Sequence, residues 1–307
     1  MKLSIAINQY RDFKLALGAK FETEDRRLRC FLKCVGDVDL DDVREAEVQK
    51  FLLGQGPRTI TYNYKHTILC GLFKFALARG YCRSSPLPHA LPRARSIFAP
   101  YIYSKAEIKR LLVATETIKP TEYIEPDTFR VLIVLLYGAT LRISEALSLN
   151  INDIDLKQGL LIIEESKFFK KRIVPVGAEL REALASYRRS KHKNGGGGNF
   201  FLTRQKKELK RTYVEGKYRQ LRKIAGVQRV DGHQPRLHDL RHTGAVHRII
   251  AWYKAGKDVQ QLLPSLSVYM GHRSLRETQV YLTVTPEIME SASERFSQYA
   301  FAGAVSL

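Results

Sequence analysis

Through the first quarter of the chain, apolar residues return every three or four positions. They do so from Ile5 to Leu17, from Glu22 to Val35, from Asp41 to Leu53 and from Thr59 to Ala78, and each stretch runs into a glycine at 18, 36, 54 or 80. That period lines one face of a helix with apolar side chains, and glycine is where a helix can stop. Acids at the start of the third stretch suit the positive end of its dipole. Residues 1–83 therefore predict a small domain of four helices. The periodicity fails across residues 84–103, where Pro86, Pro88, Pro92 and Pro100 remove backbone donors and restrain their predecessors. This stretch predicts an interdomain linker, with a second domain over residues 104–307.

The second domain opens on Ser104 and Glu107, spaced as a capping box. A strongly apolar helix is predicted from Pro126 to Tyr137, then a short one that Ser144 can cap, with Arg142 just before it. Leu160–Glu164 and Arg172–Val176 are β-branched and apolar and predict a hairpin, with residues 166–171 at its tip. Phe200–Leu202 could add a third short strand. Helices are predicted over Ala178–Lys193, Arg211–Ile224, Leu237–Ala255 and Asp258–Tyr269, the last restarting at Pro264. Ser274 and Glu277 form a second capping-box pair, which would put Tyr281 on a short helix. Thr285 and Pro286 open a final helix to about Tyr299. The fold class is mainly α with a small antiparallel β-sheet (α+β).

Charge changes the picture most. The net charge is +20 and the pI near 9.8, which favours a polyanionic partner, nucleic acid before an anionic membrane. The longest apolar run, Val131 to Leu136, is too short to span a bilayer, and the N-terminus lacks the long apolar segment of a secretory signal. Four cysteines, Cys30, Cys34, Cys70 and Cys82, lie in the first third. Cys30 and Cys34 share a helical face with no nearby His pair to complete a zinc site, so all four read as reduced thiols of a cytoplasmic protein. From Arg204 to Lys223 there are nine Lys and Arg against two Glu. Such a run is usually a solvated face; here contact with a DNA backbone is favoured, because each cation adds to binding by counterion release.

The densest candidate chemistry lies between His238 and Tyr281. His238 and Arg241 are three apart in a helical pattern and leave the same face. Gly271 can end a helix and leave His272 just beyond it, and Tyr281 follows nine residues later. Two His, an Arg and a Tyr suit an anionic phosphate group with a phenolic nucleophile beside it. Arg142, far upstream, stands among apolar neighbours and needs an anionic partner, either Glu145 or a bound phosphate. Lys167 lies at or near the hairpin tip, where a Lys is usually a solvated charge.

The order Arg142, Lys167, His238, Arg241, His272, Tyr281 resembles the six-residue set of the tyrosine recombinase (phage integrase) family. Residues 104–290 carry most of the resemblance; residues 1–83 resemble its helical core-binding domain more loosely. The segment between Arg241 and His272 is several residues longer than in compact members.

The resemblance implies a DNA strand-exchange enzyme that works through a 3′-phosphotyrosine, without metal, ATP or other cofactor, for integration, excision or transposition of a mobile element. Arg142 and Arg241 would hold the scissile phosphate, and Lys167, eight residues before Pro175, would be the general acid, with Lys170 and Lys171 as competitors. His238 would assist proton removal from Tyr281, and His272 would donate to a non-bridging oxygen. Expected partners are double-stranded DNA, a homotetramer on two DNA sites (monomer or dimer when free), and accessory DNA-bending or partner recombinase proteins, with no membrane. The expected DNA-binding residues are Arg83, Arg93, Arg95, Lys170, Lys171, Arg204, Lys206, Lys207, Lys210, Arg211, Lys217 and Arg219. The expected setting is the cytoplasm, nucleoid-associated, in a prokaryote or encoded by a mobile element. The alternatives are a type IB-like topoisomerase and a catalytically silent DNA-binding protein of the same fold.

Overall fold

In the structure, a computed structural model describing residues 1–54, 60–88, 100–121, 123–164, 171–192, 198–229, 234–283 and 293, the chain divides into two units, Met1–Phe98 and Ala99–Leu307. In the first, the helical spacing yields α1 (Leu3–Ala16), α2 (Glu22–Val35), α3 (Glu45–Leu53) and α4 (Ile60–Ala78). Their apolar stripes meet in a core that includes Leu3, Ile7, Leu28, Phe31, Leu69 and Leu72, all fully buried. The third helix starts later than its acids suggest. Leu40–Asp42 is a 3₁₀ turn, and the Asp41 carboxylate accepts a hydrogen bond from the Arg83 backbone N–H at 2.8 Å instead of serving a helix terminus. Glu47 accepts from the Arg44 N–H at 3.1 Å as α3 begins.

The second unit begins with α5 (Lys105–Ala114). Its capping box is present: Ser104 Oγ accepts from the Glu107 N–H at 3.2 Å, and the Glu107 carboxylate accepts from the Ser104 N–H at 2.8 Å. The apolar α6 (Pro126–Gly138) is the central helix, packed against α8 (Ala178–Lys191) and α10 (Asp239–Lys254). At the crossing with α10, a methyl on Gly244 would meet the Tyr137 carbonyl oxygen at 2.2 Å, so only glycine lets the two helices approach this closely. α7 (Ile143–Ser148) is capped at Arg142, one residue before α7 begins, and Ser144 lies inside the helix, which corrects the expected cap. The reason is Glu145, whose carboxylate takes the Arg142 N–H at 2.9 Å.

Strands β1 (Ile154–Asp155), β2 (Leu160–Glu164) and β3 (Lys171–Pro175) form an antiparallel sheet in the order β1-β2-β3. Leu161 opposes Val174, and Ile163 opposes Arg172. The third strand is therefore Ile154–Asp155 and not Phe200–Leu202; Phe200 and Phe201 are instead fully buried aromatic plugs of the core. α9 (Arg211–Ile224) follows the expected range. α11 (Val259–Met270) runs unbroken through Pro264, and Asp258 caps its start by accepting from the Gln260 and Gln261 N–H groups. α12 (Leu275–Gln279) passes into a 3₁₀ turn, Val280–Thr283. Tyr281 sits on that turn, not on the helix, and the Ser274 side chain makes no cap bond. Residues 166–170 of the hairpin tip and, apart from Ser293, the final helix expected after Thr285 lie outside the described residues. The fold is mainly helical with one small antiparallel sheet, and no described helix is long and apolar enough to cross a membrane.

Candidate active site

A buried carboxylate organises the site. Glu145, on α7, is 7% exposed and receives three arginines from three directions. Arg172 on β3 donates to it through both guanidinium ends, at 3.1 and 2.8 Å. Arg142 donates at 2.7 Å, and Arg241 on α10 approaches to 3.8 Å. The fork-to-fork pairing of Arg172 is the strong bidentate form. Burial alone would raise the Glu145 pKa, but the hydrogen bonds and charge of Arg172, followed by those of Arg142, hold it below the usual carboxylate range.

The C-terminal end of α11 supplies a second set of acceptors. Arg172 Nε donates to the Tyr269 carbonyl at 3.2 Å, Arg241 Nη2 to the Met270 carbonyl at 2.8 Å, and Arg142 Nη2 to the Gly271 carbonyl at 2.7 Å. Three successive carbonyls thus bind three different guanidiniums, at the negative end of the helix dipole. Gly271 makes this possible. It is left-handed (φ 69°, ψ 45°), and a methyl there would meet Arg172 Nη1 at 2.7 Å. Arg241 gains one more acceptor from a strained residue: Thr140, at φ 50°, turns its carbonyl to Arg241 Nη1 at 2.6 Å.

The nucleophile candidate, on the 3₁₀ turn Val280–Thr283, also packs against α10. Tyr281 is 3% exposed, and its hydroxyl is 2.8 Å from His242 Nδ1. Its ring stacks on His272, with centroids 6.0 Å apart at 28°. His272 is oriented in turn by Thr278, whose buried Oγ1 lies 2.7 Å from His272 Nδ1. His238, the residue just before α10, meets the His242 ring edge-on at 4.8 Å. Among the described residues, therefore, the hydroxyl's hydrogen-bond partner is His242 and not His238.

These surroundings keep the histidines neutral. Burial first, then Arg241, lowers His238 to about 4 and His272 to about 4. Burial, then His238 and Arg241, lowers His242 to about 3. Burial raises the Tyr281 phenol to about 12 against the opposing pull of Arg241 and Arg142, and burial with Arg142 nearby lowers Arg241 to about 10. With neutral histidines, three guanidiniums around one carboxylate leave two positive charges in excess. That surplus suits a phosphodiester, which gains negative charge as it is attacked.

The structure thus gathers five of the six residues expected from sequence, Arg142, His238, Arg241, His272 and Tyr281; the sixth, Lys167, lies outside the described residues. Beside Arg142 and His238 opens a cavity of about 680 Å³, walled by Arg211, Arg219, Arg222 and Arg236. Of the expected DNA contacts, Arg211 and Arg219 therefore border the site directly. Arg204, Lys206, Lys207 and Lys210 are exposed on the approach to α9. Lys217 donates to Gln220, and Lys171 pairs with Glu164 across the sheet at 2.5 Å. Arg83 is an exposed residue of the first unit, and Arg93, Arg95 and Lys170 lie outside the described residues. Sequence reasoning passed over Arg172, His242 and Thr278. Only Arg172 left a signal: it alternates with the buried Val174 on β3, so it had to face inward.

A buried arginine cluster with a tyrosine at its edge, on a mainly helical unit with a small sheet, suits a phosphate-bearing substrate. Comparison with known proteins gives the family. Residues 102–287 match the phage integrase family. The chain is 32% identical over 293 residues to y4rE of Sinorhizobium fredii (strain NBRC 101917 / NGR234), provisionally named an integrase/recombinase, covering 94% of each chain. It is 30% identical over 274 residues to the tyrosine recombinase XerC of Chlorobaculum tepidum, covering 81% of this chain and 77% of that one. Its fold is similar to lambda integrase (residues 75–356), solved as a dimer on a COC′ core site: TM-score 0.71, 19% identity, 93% of this chain and 97% of that one. The lambda integrase tetramer on a Holliday junction gives TM-score 0.67 at 20% identity, over 89% and 78% of the two chains. The chain belongs to the phage integrase family.

Proposed function

We propose that this chain is a site-specific DNA recombinase that cuts and rejoins duplex DNA through a 3′-phosphotyrosine at Tyr281, in the service of a mobile element. The observation that carries this reading is the arginine cluster: three guanidiniums fixed by Glu145 and by three carbonyls of α11, with a buried tyrosine in their field.

A phosphodiester entering the cavity meets Arg142, whose guanidinium lines it, with Arg241 behind. Both are already oriented, so little reorganisation is needed as charge develops on the non-bridging oxygens. His272, stacked on Tyr281 and held by Thr278, would donate to the same oxygens. Tyr281 attacks phosphorus, and Lys167 protonates the departing 5′ oxygen. The ester bond to tyrosine conserves the energy of the broken bond, so rejoining consumes no nucleotide. The cations of α9 bordering the cavity, Arg211 and Arg219, continue the positive path along the DNA backbone. Assembly as a tetramer on two DNA sites is supported by the lambda integrase complexes that share the fold.

The test is covalent capture on nicked duplexes drawn from the DNA flanking the gene. Wild-type protein is expected to form an adduct stable to denaturation, and Tyr281→Phe to form none while still retarding the same DNA. An adduct in Tyr281→Phe would remove Tyr281 as nucleophile. Relaxation of supercoiled plasmid without site preference would favour a type IB-like topoisomerase.

A further inference from the structure

Tyr281 poses a problem that the arginines do not solve. Its hydroxyl is buried, so its proton has no direct path to bulk water, yet it must lose that proton to form an ester. We propose that His242 is the general base of this reaction, its Nδ1 accepting the Tyr281 proton as the bond to phosphorus forms. The inference rests on the strand-cleavage reading above and adds a catalytic residue to it.

The geometry is direct. His242 Nδ1 lies 2.8 Å from the hydroxyl, with the ring tilted 54° to the tyrosine ring. The residue is one position past Arg241 on α10, so the base and a phosphate-holding guanidinium are carried by a single rigid helix. His238 packs edge-on against His242 and fixes its ring plane. The step balances: the Oη–H proton moves to Nδ1 while Oη–P forms and P–O5′ breaks, and the 5′ oxygen takes its proton from the acid, assigned above to Lys167.

The electrostatics explain why the transfer waits for DNA. With the phenol pushed up to about 12 and His242 pushed down to about 3 by burial and by His238, Arg241, Arg236 and His272, the proton stays on oxygen in the unbound enzyme. A phosphate beside the arginines offsets the positive field that depresses His242.

Two measurements test the proposal. In DNA-free protein, ¹⁵N spectra of the histidines should show His242 as the neutral Nε2–H tautomer, with an Nδ1 signal that moves in Tyr281→Phe. A Nδ1–H tautomer would contradict the proposal whatever the protein does to DNA. In the capture assay, His242→Asn keeps a hydrogen-bonding group but cannot take the proton. It should slow adduct formation by about 10²–10⁴-fold, the usual share of general acid–base catalysis. Placing 3-fluorotyrosine, a more acidic phenol, at position 281 should restore part of that loss. Wild-type rates in His242→Asn, or a defect indifferent to fluorotyrosine, would overturn the assignment. Absence of any adduct with wild-type protein, alongside the expected tautomer, would defeat the strand-cleavage reading and, with it, the base role, leaving only the contact.

Discussion

The cores of the two units obey different rules. Among the described residues, the first unit buries no Asp, Glu, Lys or Arg; its core is Leu, Ile, Val, Phe and Ala with Tyr10, Tyr62, Cys82 and His66. The second buries Glu145, Arg222, Asp239 and Arg241 along with a set of threonines. Removing a charge from water is costly unless it is paired, and apolar replacements of similar volume often serve stability equally well. The first core is what helical patterning alone produces. The second accepts an expense that packing does not require, and the expense falls where a phosphate would bind. Under the proposed function, the buried charge of the second unit coincides with the phosphate site.

That contrast can be broken most severely at Arg241. Arg241→Ala removes one guanidinium and strands the Thr140 and Met270 carbonyls. Adduct formation should fall by at least the ~10²–10³-fold seen for loss of one oxyanion donor. Stability should fall as well, by about 3–5 kcal/mol, the range for breaking a buried pair. Capture kinetics and urea unfolding read the two effects separately. A variant with full cleavage activity would end the functional reading of the second core.

Phe31→Ala tests the other side. It empties a fully buried position packed against Phe51 and should cost about 3–5 kcal/mol of stability. At a temperature where the variant remains folded, the histidine spectra of the second unit should match wild type.

Lowering the pH should separate the cores more gently. His238, His242 and His272 have folded pKa values of about 4, 3 and 4 against an ordinary 6.5. Between about pH 6.5 and 4 the unfolded chain therefore binds protons that the folded chain does not, and stability declines as pH falls through that window. Glu145 contributes in the same direction only below its ordinary value of 4.5, since its folded pKa is lowered. Hydrogen exchange at pH 7 and pH 5 should show protection lost in α10 before α4. Equal loss in both would place the acid sensitivity elsewhere.

The same contrast explains what could be read from sequence. The helices of the first unit were legible because each is specified by its own period and its terminal glycine. The ranges of α2 and α9 were legible to the residue for that reason. In the second unit, Arg142, His238, Arg241, His272 and Tyr281 could be found because their types and order form a pattern. Their arrangement could not. Glu145 is spaced to partner Arg142, but nothing local says that it also collects Arg172, 27 residues away, and Arg241 from a third element. The carbonyls of Tyr269, Met270 and Gly271 have no sequence signature at all. His242 was visible as a residue of the run, yet its contact with Tyr281 depends on how the 3₁₀ turn after α12 folds back onto α10. Expecting Tyr281 on a capped helix hid that contact.

The central claim, that Tyr281 is the nucleophile, has a direct chemical test. Trypsin cleaves after Arg276 and Arg295, and the peptide 277–295 between them contains Tyr281 as its only tyrosine. After capture on a nicked duplex and nuclease trimming, mass spectrometry of the digest should show this peptide carrying a nucleotide, with fragment ions placing it on Tyr281. A nucleotide on any other peptide would contradict the account.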